Sequence, residues 1–386
     1  MTKSISIFGA TGSIGDSAAD VILSASDMFN VNGVTAHSNV EKLAQRARNL
    51  NAQKAVIADE ALFQDLKNAL SGTDIAVAAG TDALEELAAE KTDVSLMAIM
   101  GFAGLRPLIK AIEQGGAVAI ANKEPLVAAG PFVMQAAQKS GATLLPIDSE
   151  HNAIFQVFEN DNRKAIERII LTGSGGPFRG FTKGQLAAVT REQALKHPNW
   201  DMGAKITIDS ATLTNKALEV IEAHYLFDMP ADQIDVIIHP QSTIHSMVEY
   251  CDGSVLAQMG ASDMRTPLAN VMNWPQRLKT PGARLDLTAM ARLDFEASDA
   301  DAFPSLAMGY QALKEGLHAQ IAFNAANEIA VQRFLTNKAG FLDIMICQDH
   351  ILGGIDNEAL GSIDDVEAFD AKIRALSADF LKQRAA

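Results

Sequence analysis

Residues 4–9, Ser-Ile-Ser-Ile-Phe-Gly, set an apolar run against a glycine and predict a short buried strand. A glycine-rich turn follows. Apolar residues at helical spacing (Ala18, Val21, Ile22) then predict an amphipathic helix. The pattern recurs, with strands predicted over 31–36 and 54–58 and helices over 40–50 and 60–70. Runs at 93–100 and 117–121 predict two more strands with a helix over 105–114 between them, and a strand at 143–147 closes the series. Strands alternating with helices at this spacing predict βαβ units and a parallel sheet.

Beyond residue 150 the pattern changes. A strand at 169–172 feeds a glycine-rich turn, and a polar stretch leads to a short run at 205–208 and a long helix over 211–227. Further strands are predicted at 236–239, 246–250 and 254–260, which makes this region α+β. Pro275, Pro281 and Gly282 punctuate a stretch without periodicity. Helical patterns over 306–317, 325–335, 341–352 and 366–381 then predict a bundle. The expected organisation is α/β: an N-terminal Rossmann-like dinucleotide-binding domain (1–147), a central α+β catalytic domain (148–273), a connector (274–299) and a C-terminal helical bundle (300–386).

Composition narrows the classes. A chain of 386 residues with 48% hydrophobic residues holds more than one core. A net charge of −15 argues against a general nucleic-acid or anionic-membrane binder. It leaves room for a small anionic substrate in a local cationic pocket. No apolar run is long enough to span a bilayer, and the N-terminus lacks a signal-peptide pattern. Two cysteines, Cys251 and Cys347, give no disulfide framework; reduced thiols in a cytoplasmic protein are expected.

Four segments carry candidate chemistry. The first, Gly9-Ala10-Thr11-Gly12-Ser13-Ile14-Gly15, lies between predicted strand and helix, where a backbone turn and a helix N-terminus can hold a pyrophosphate. The second predicted strand ends at His37-Ser38-Asn39 without the acid that would hold a 2′-hydroxyl, which favours NADP. In the second segment, Asp148 and Glu150 follow the strand at 143–147; on an extended backbone both would leave one face. Alone, the pair fits either a hard divalent metal or a solvated loop. In the third, Asp209 or Ser210 is expected to cap the helix over 211–227. Asn215, Lys216 and Glu219 share one of its faces. That face is either solvated, with an internal Lys–Glu pair, or it supplies a third metal carboxylate from Glu219 while Ser210, Asn215 and Lys216 meet an anion. The fourth, the turn from Gly173 to Pro177, is either a phosphate cradle or a hinge. His197 and Trp200 sit in a polar stretch, with Trp200 either a lid residue or a core anchor. His239 and His245 are expected to be structural rather than zinc ligands.

These segments, together with Ala121-Asn122-Lys123-Glu124, Pro146 to Phe155, Leu171 to Phe178, His197 to Trp200, Asp209 to Thr212, His239 to Ser242 and Asn324 to Glu328, resemble the 1-deoxy-D-xylulose 5-phosphate reductoisomerases in order and across nearly the whole chain. The resemblance implies an NADPH-dependent enzyme requiring Mg²⁺ or Mn²⁺. Such an enzyme isomerises and reduces 1-deoxy-D-xylulose 5-phosphate to 2-C-methyl-D-erythritol 4-phosphate in non-mevalonate isoprenoid precursor synthesis. It implies Asp148, Glu150 and Glu219 as metal ligands. Ser149, Ser174, His197, Ser210, Asn215, Lys216 and Glu219 would meet the phosphosugar, with Glu150, Lys216 and His197 catalytic. Thr11, Gly12, Ser13, Ile14, Asn122, Lys123, Glu124 and Gly203 would contact NADPH, joined by His37, Ser38 and Asn39. A homodimer is implied as well. The family often has glycine, then lysine, arginine or serine, then asparagine after the second strand, where this chain has His37-Ser38-Asn39, and Pro125 stands where serine is frequent. The alternative is a metal-independent, semialdehyde-type NADP dehydrogenase, which needs a nucleophilic cysteine beside a histidine.

Overall fold

Seven parallel strands form one sheet: β1 (Lys3–Phe8), β2 (Phe29–Ala36), β3 (Lys54–Ile57), β4 (Ala76–Ala79), β5 (Val94–Met97), β6 (Ala117–Ile120) and β7 (Thr143–Pro146). Their order is β4-β3-β2-β1-β5-β6-β7. The chain winds outward from β1 in one direction and returns to build from β5 in the other. That creates a switch point between β1 and β5, where ligands of parallel sheets bind outside the strand carboxyl ends. Strands covered on both faces read as continuous apolar runs. Accordingly, Ile5, Ile7, Phe8, Val94 and Leu96 are at most 1% exposed. The predicted parallel sheet and its Rossmann-like winding are therefore present.

This computed structural model describes residues 2–385. It forms two compact units. The first holds the chain up to Pro125, Val133–Asn152 and Asp263–Ala283; the second holds Leu126–Phe132, Ala153–Ser262 and the chain from Arg284 onward. The second unit contains a four-stranded sheet of order β11-β10-β8-β9, from β8 (Ile166–Gly173), β9 (Ile234–Ile238), β10 (Ile244–Tyr250) and β11 (Val255–Met259). Only β8 and β9 pair in parallel. The helix Thr214–Phe227 packs on β8 and β9. The expected C-terminal bundle is formed by Ser305–Glu315, Leu317–Leu335, Phe341–Gly354 and Ile363–Ala385. No helix among the described residues is long and apolar enough to cross a membrane.

Several local expectations need correction. The run at 205–208 lies inside a helix, Ala204–Ala211, and the long helix starts only at Thr214. Between them Leu213 adopts φ +58°, an unusual left-handed geometry for a branched residue. Asp209 and Ser210 therefore close the first helix instead of capping the second. The stretch 274–299 is not structureless: Leu287–Met290 is a helical turn and Glu296 bridges Ile238. Strand β4 and the helices Thr81–Ala88 and Glu124–Ser140 add elements that the apolar pattern did not announce. β4 is nearly all alanine, and the last helix is broken at Ala129 just before Pro131.

The register of β1 against β5 is pinned by one carboxylate. Asp93 Oδ2 accepts from the Ser4 N–H at 2.7 Å and from the Ser4 hydroxyl at 2.8 Å. These bonds hold the Asp93 carboxyl below the ordinary carboxylate range. A folded-state value below the unfolded one adds stability that is full above the unfolded value and is lost as pH falls through the folded one. Asp93→Ala should therefore lower stability by about 1 kcal/mol at neutral pH. In urea melts across a pH series, the gap between variant and wild type should close as the acid limb is entered.

Candidate functional site

In the first unit the glycine turn sits at the switch point. Gly9 has φ +89°, and a Cβ there would lie 2.3 Å from the Ala98 carbonyl oxygen beyond β5. The turn is thus pressed onto the strand end as only glycine allows. The helix Ser13–Ser24 then begins with Gly12 at its cap and no side chain occupying its first N–H groups. Those groups form an anion-binding end. Thr11, Gly12, Ser13 and Ile14 belong to this turn and first helical residues. His37 and Ser38 are exposed past β2. Asn39 caps the next helix, its Oδ1 accepting from the Lys42 N–H at 3.0 Å. Asn122 donates to the Ile99 carbonyl and so joins the loops after β5 and β6.

The first unit also fixes the acidic segment, in a form the strand pattern misstated. β7 ends at Pro146 and a helix opens at Ser149, so the alternation of strand side chains does not apply. Asp148 caps this helix: its Oδ1 accepts from the Glu150 N–H at 3.2 Å. Its Oδ2 takes Lys123 Nζ at 2.6 Å, a pair whose side chains are only 6% and 8% exposed. His151 Nδ1 lies 3.5 Å from Asp148 Oδ1. The Ser149 hydroxyl donates to Glu150 Oε2 at 2.5 Å. Lys123, expected at the cofactor, thus has its ammonium on Asp148, while Glu124 is buried beside it at the start of the following helix.

The second unit gathers the other candidates. Lys216 Nζ donates to Glu219 Oε2 and to the Thr172 carbonyl, both at 2.6 Å, and Asn215 donates to Glu219 Oε1. Glu219 is fully buried and Lys216 is 4% exposed, so this face of the helix is no solvated surface. The turn after β8 closes on the same place. Gly176 has φ +68°, and a Cβ there would lie 2.7 Å from the Ser210 carbonyl oxygen. Ser174 Oγ meets His197 Nε2 at 3.0 Å. His197 Nδ1 accepts from the Asn199 and Trp200 N–H groups at 3.2 and 3.0 Å. Those two donors leave Nε2 as the protonated nitrogen of the neutral ring. Nε2–H then donates to Ser174 Oγ, which also accepts from the Gly176 N–H at 3.2 Å. With both of these donors on its oxygen, the Ser174 hydroxyl keeps its own hydrogen for a further acceptor.

Trp200 is tied down, its indole N–H donating to Ser242 Oγ at 3.2 Å and its ring packing 5.9 Å from His245. His239 Nδ1–H donates to the Asp294 carbonyl at 2.8 Å, and the ring stacks on Phe295, in keeping with a structural role. Gly203 caps the helix Ala204–Ala211. Cys251 is exposed in the turn after β10, and Cys347 is buried, which pushes its thiol up to about 11.

A buried chain of polar groups, whose links the sequence did not show, supports this site. Asp209 pairs with Lys205 at 2.8 Å and accepts from Asn327 at 2.8 Å. Gln348 donates to Asn327 Oδ1 at 3.0 Å and to Thr214 Oγ1 at 3.1 Å, and accepts from Ser305 at 2.6 Å. Asn324 to Glu328 stood out as a segment, but only tertiary contact gives Asn327 its partner.

The class they define is an NADP-dependent oxidoreductase: a glycine turn at the switch point of a parallel sheet, and buried lysine–carboxylate pairs, one of them near a serine held by a histidine. Comparison with known proteins makes the class specific. The family model for 1-deoxy-D-xylulose 5-phosphate reductoisomerase matches residues 5–130, that for its C-terminal domain matches 144–227, and a further DXP reductoisomerase C-terminal domain model matches 259–376. The reductoisomerase of Rhodospirillum centenum is 50% identical over 98% of this chain and 94% of its own. That of Zymomonas mobilis is 48% identical over 98% of both chains. The solved structure of the Z. mobilis enzyme in complex with NADPH superposes with a TM-score of 0.94 at 47% identity, covering 99% of each chain. A DOX-P reductoisomerase in complex with NADPH, fosmidomycin and magnesium gives 0.93 at 39% identity over 98% of each. The chain belongs to the 1-deoxy-D-xylulose 5-phosphate reductoisomerase family.

Gln348 carries three buried bonds, and losing them strands Asn327, Thr214 and Ser305. Gln348→Leu should therefore destabilise by about 2–4 kcal/mol in chemical denaturation, and Gln348→Glu, which sets an unpaired buried carboxylate against Asn327 Oδ1, should lose at least as much.

Proposed function

We propose that this chain converts 1-deoxy-D-xylulose 5-phosphate to 2-C-methyl-D-erythritol 4-phosphate with NADPH and Mg²⁺ or Mn²⁺, as a cytoplasmic homodimer supplying isoprenoid precursors. The observation that carries this is the end-to-end similarity to enzymes of that name. The cofactor falls to residues 1–147, the catalytic groups to 148–273, and 300–386 forms the helical domain.

Asp148, Glu150 and Glu219 are the proposed metal ligands. The donor set fits: it consists of carboxylate oxygens, the choice of a hard divalent ion. When bound, the ion polarises the substrate ketone and the reduced nicotinamide provides the hydride.

The chain's own groups do the rest. The Ser174 hydroxyl, oriented by His197, donates to the substrate phosphate, and Ser210, Asn215 and Lys216 complete the polar surround. Lys216, held between Glu219 and the Thr172 carbonyl, offers its ammonium to developing oxyanions. Ser149 holds Glu150, whose carboxylate takes and returns a proton as the carbon skeleton rearranges. Phosphate binding energy, drawn from atoms that do not react, serves the chemical step. Thr11, Gly12, Ser13, Ile14, His37, Ser38, Asn39, Asn122, Lys123, Glu124 and Gly203 are the proposed NADPH contacts.

The test is nicotinamide absorbance with purified protein, NADPH, Mn²⁺ and 1-deoxy-D-xylulose 5-phosphate. Substrate-dependent oxidation abolished by EDTA is expected. Glu219→Gln should lower kcat by about 10²-fold or more, and Ser174→Ala should act mainly on the KM of the phosphosugar. Activity that survives EDTA would instead favour a metal-independent dehydrogenase.

A further inference from the structure

The helix Val40–Asn49, which follows β2, aims two cations at the first turn after the glycine loop. Lys42 Nζ lies 2.8 Å from Asp16 Oδ2, and Arg46 donates to Asp16 Oδ1. Asp16 is in the first turn of the helix Ser13–Ser24, its N–H bonded to the Gly12 carbonyl at 2.9 Å. Two cations on one carboxylate leave a positive charge uncompensated beside the dinucleotide turn, in a chain whose net charge is −15. The intervening loop, His37-Ser38-Asn39, carries no permanently charged cation, and the Asn39 side-chain oxygen is committed to its helix cap. A nucleotide's 2′-phosphate lies near the end of the second strand in such sheets and requires a cation there.

We propose that Lys42 is the 2′-phosphate ligand that selects NADPH over NADH, and that Arg46 is a positioning residue that keeps Asp16 neutralised. This rests on the NADPH reading above. The exposures divide the roles: the Lys42 side chain is 34% exposed and Arg46 14%. Lys42 is therefore the one with access to a ligand. Its ammonium has three donors, so one can stay on Asp16 while others meet phosphate oxygens. Asp16 holds the lysine in place before cofactor arrives. Arg46 prevents the same carboxylate from repelling the phosphate.

Equilibrium titration of the full chain with NADPH and with NADH, followed by nicotinamide fluorescence, tests this. Lys42→Ala should weaken NADPH about tenfold or more and leave NADH within about twofold. Lys42→Arg should retain most of the preference. Arg46→Met should weaken NADPH selectively, and adding Asp16→Asn should restore it, a rescue that a merely structural role for Arg46 does not give. Equal weakening of both nucleotides, or NADPH binding unchanged in Lys42→Ala, overturns the inference while the cofactor reading stands. A wild-type chain that binds neither nucleotide removes both.

Discussion

A carboxylate withdrawn from water is stabilised by a cation within hydrogen-bonding reach, and the candidate residues of each unit are organised around that requirement. Glu219 has no exposed surface and Asp148 very little, and each holds a lysine ammonium at 2.6 Å. An isolated buried charge destabilises by about 3–5 kcal/mol when its partner is removed. These pairs therefore fix the local backbone as well as the chemistry. Lys216 meets Glu219 only because it and Glu219 are one helical turn apart and β8 ends with the Thr172 carbonyl pointing at the ammonium. Lys123 meets Asp148 because the loops after β6 and β7 are neighbours in the sheet. Charge neutralisation thus ties Asp148, at the start of its helix, and Glu219, within its helix, each to a lysine that a single side chain can bring across.

The sheet of the first unit was legible because its strands are buried on both faces, so β6 reads as an uninterrupted apolar run and β1 and β5 as apolar runs broken only by serines. β4 was not, since alanine has no strand signal of its own and gains one only from pairing with β3. The acidic pair at 148 and 150 was found in the sequence, yet its geometry was not: a strand and a helix cap both begin with the same residues, and only the Asp148 bond to the Glu150 N–H tells them apart. The face of Asn215, Lys216 and Glu219 shows the opposite limit. Its spacing was visible, but polar residues at helical spacing look alike whether solvated or buried. Burial was decided by β8 and the turn at Gly176.

The residues whose role the sequence did not show are those whose function is relayed. Asn327 and Gln348 are unremarkable amides on apolar helices of the C-terminal bundle. Their side chains support the junction at Leu213, where one helix ends and the next begins in left-handed geometry. Such a junction is unfavourable for leucine by itself. It persists because Asp209 and Thr214, on either side, are held from the bundle, and it sets where Ser210, Asn215 and Lys216 stand relative to one another. Buried amide networks of this kind specify one arrangement only when every member is satisfied.

The division of the chain has a consequence for how the protein is made. The first unit is assembled from three separate stretches, the last of them Asp263–Ala283, and the second begins with a short piece, Leu126–Phe132, lying within the first unit's sequence. Neither unit exists as a continuous segment. A ribosome delivering this chain from its N-terminus presents seven strands of the parallel sheet long before the helix Arg265–Asn273, which packs on the helix Ser13–Ser24, has emerged. The nascent sheet must wait with that flank uncovered, and no single cut in the chain yields a unit that can be produced alone. Exposure of apolar surface during synthesis, rather than marginal stability of the finished fold, is the burden this topology places on the cell.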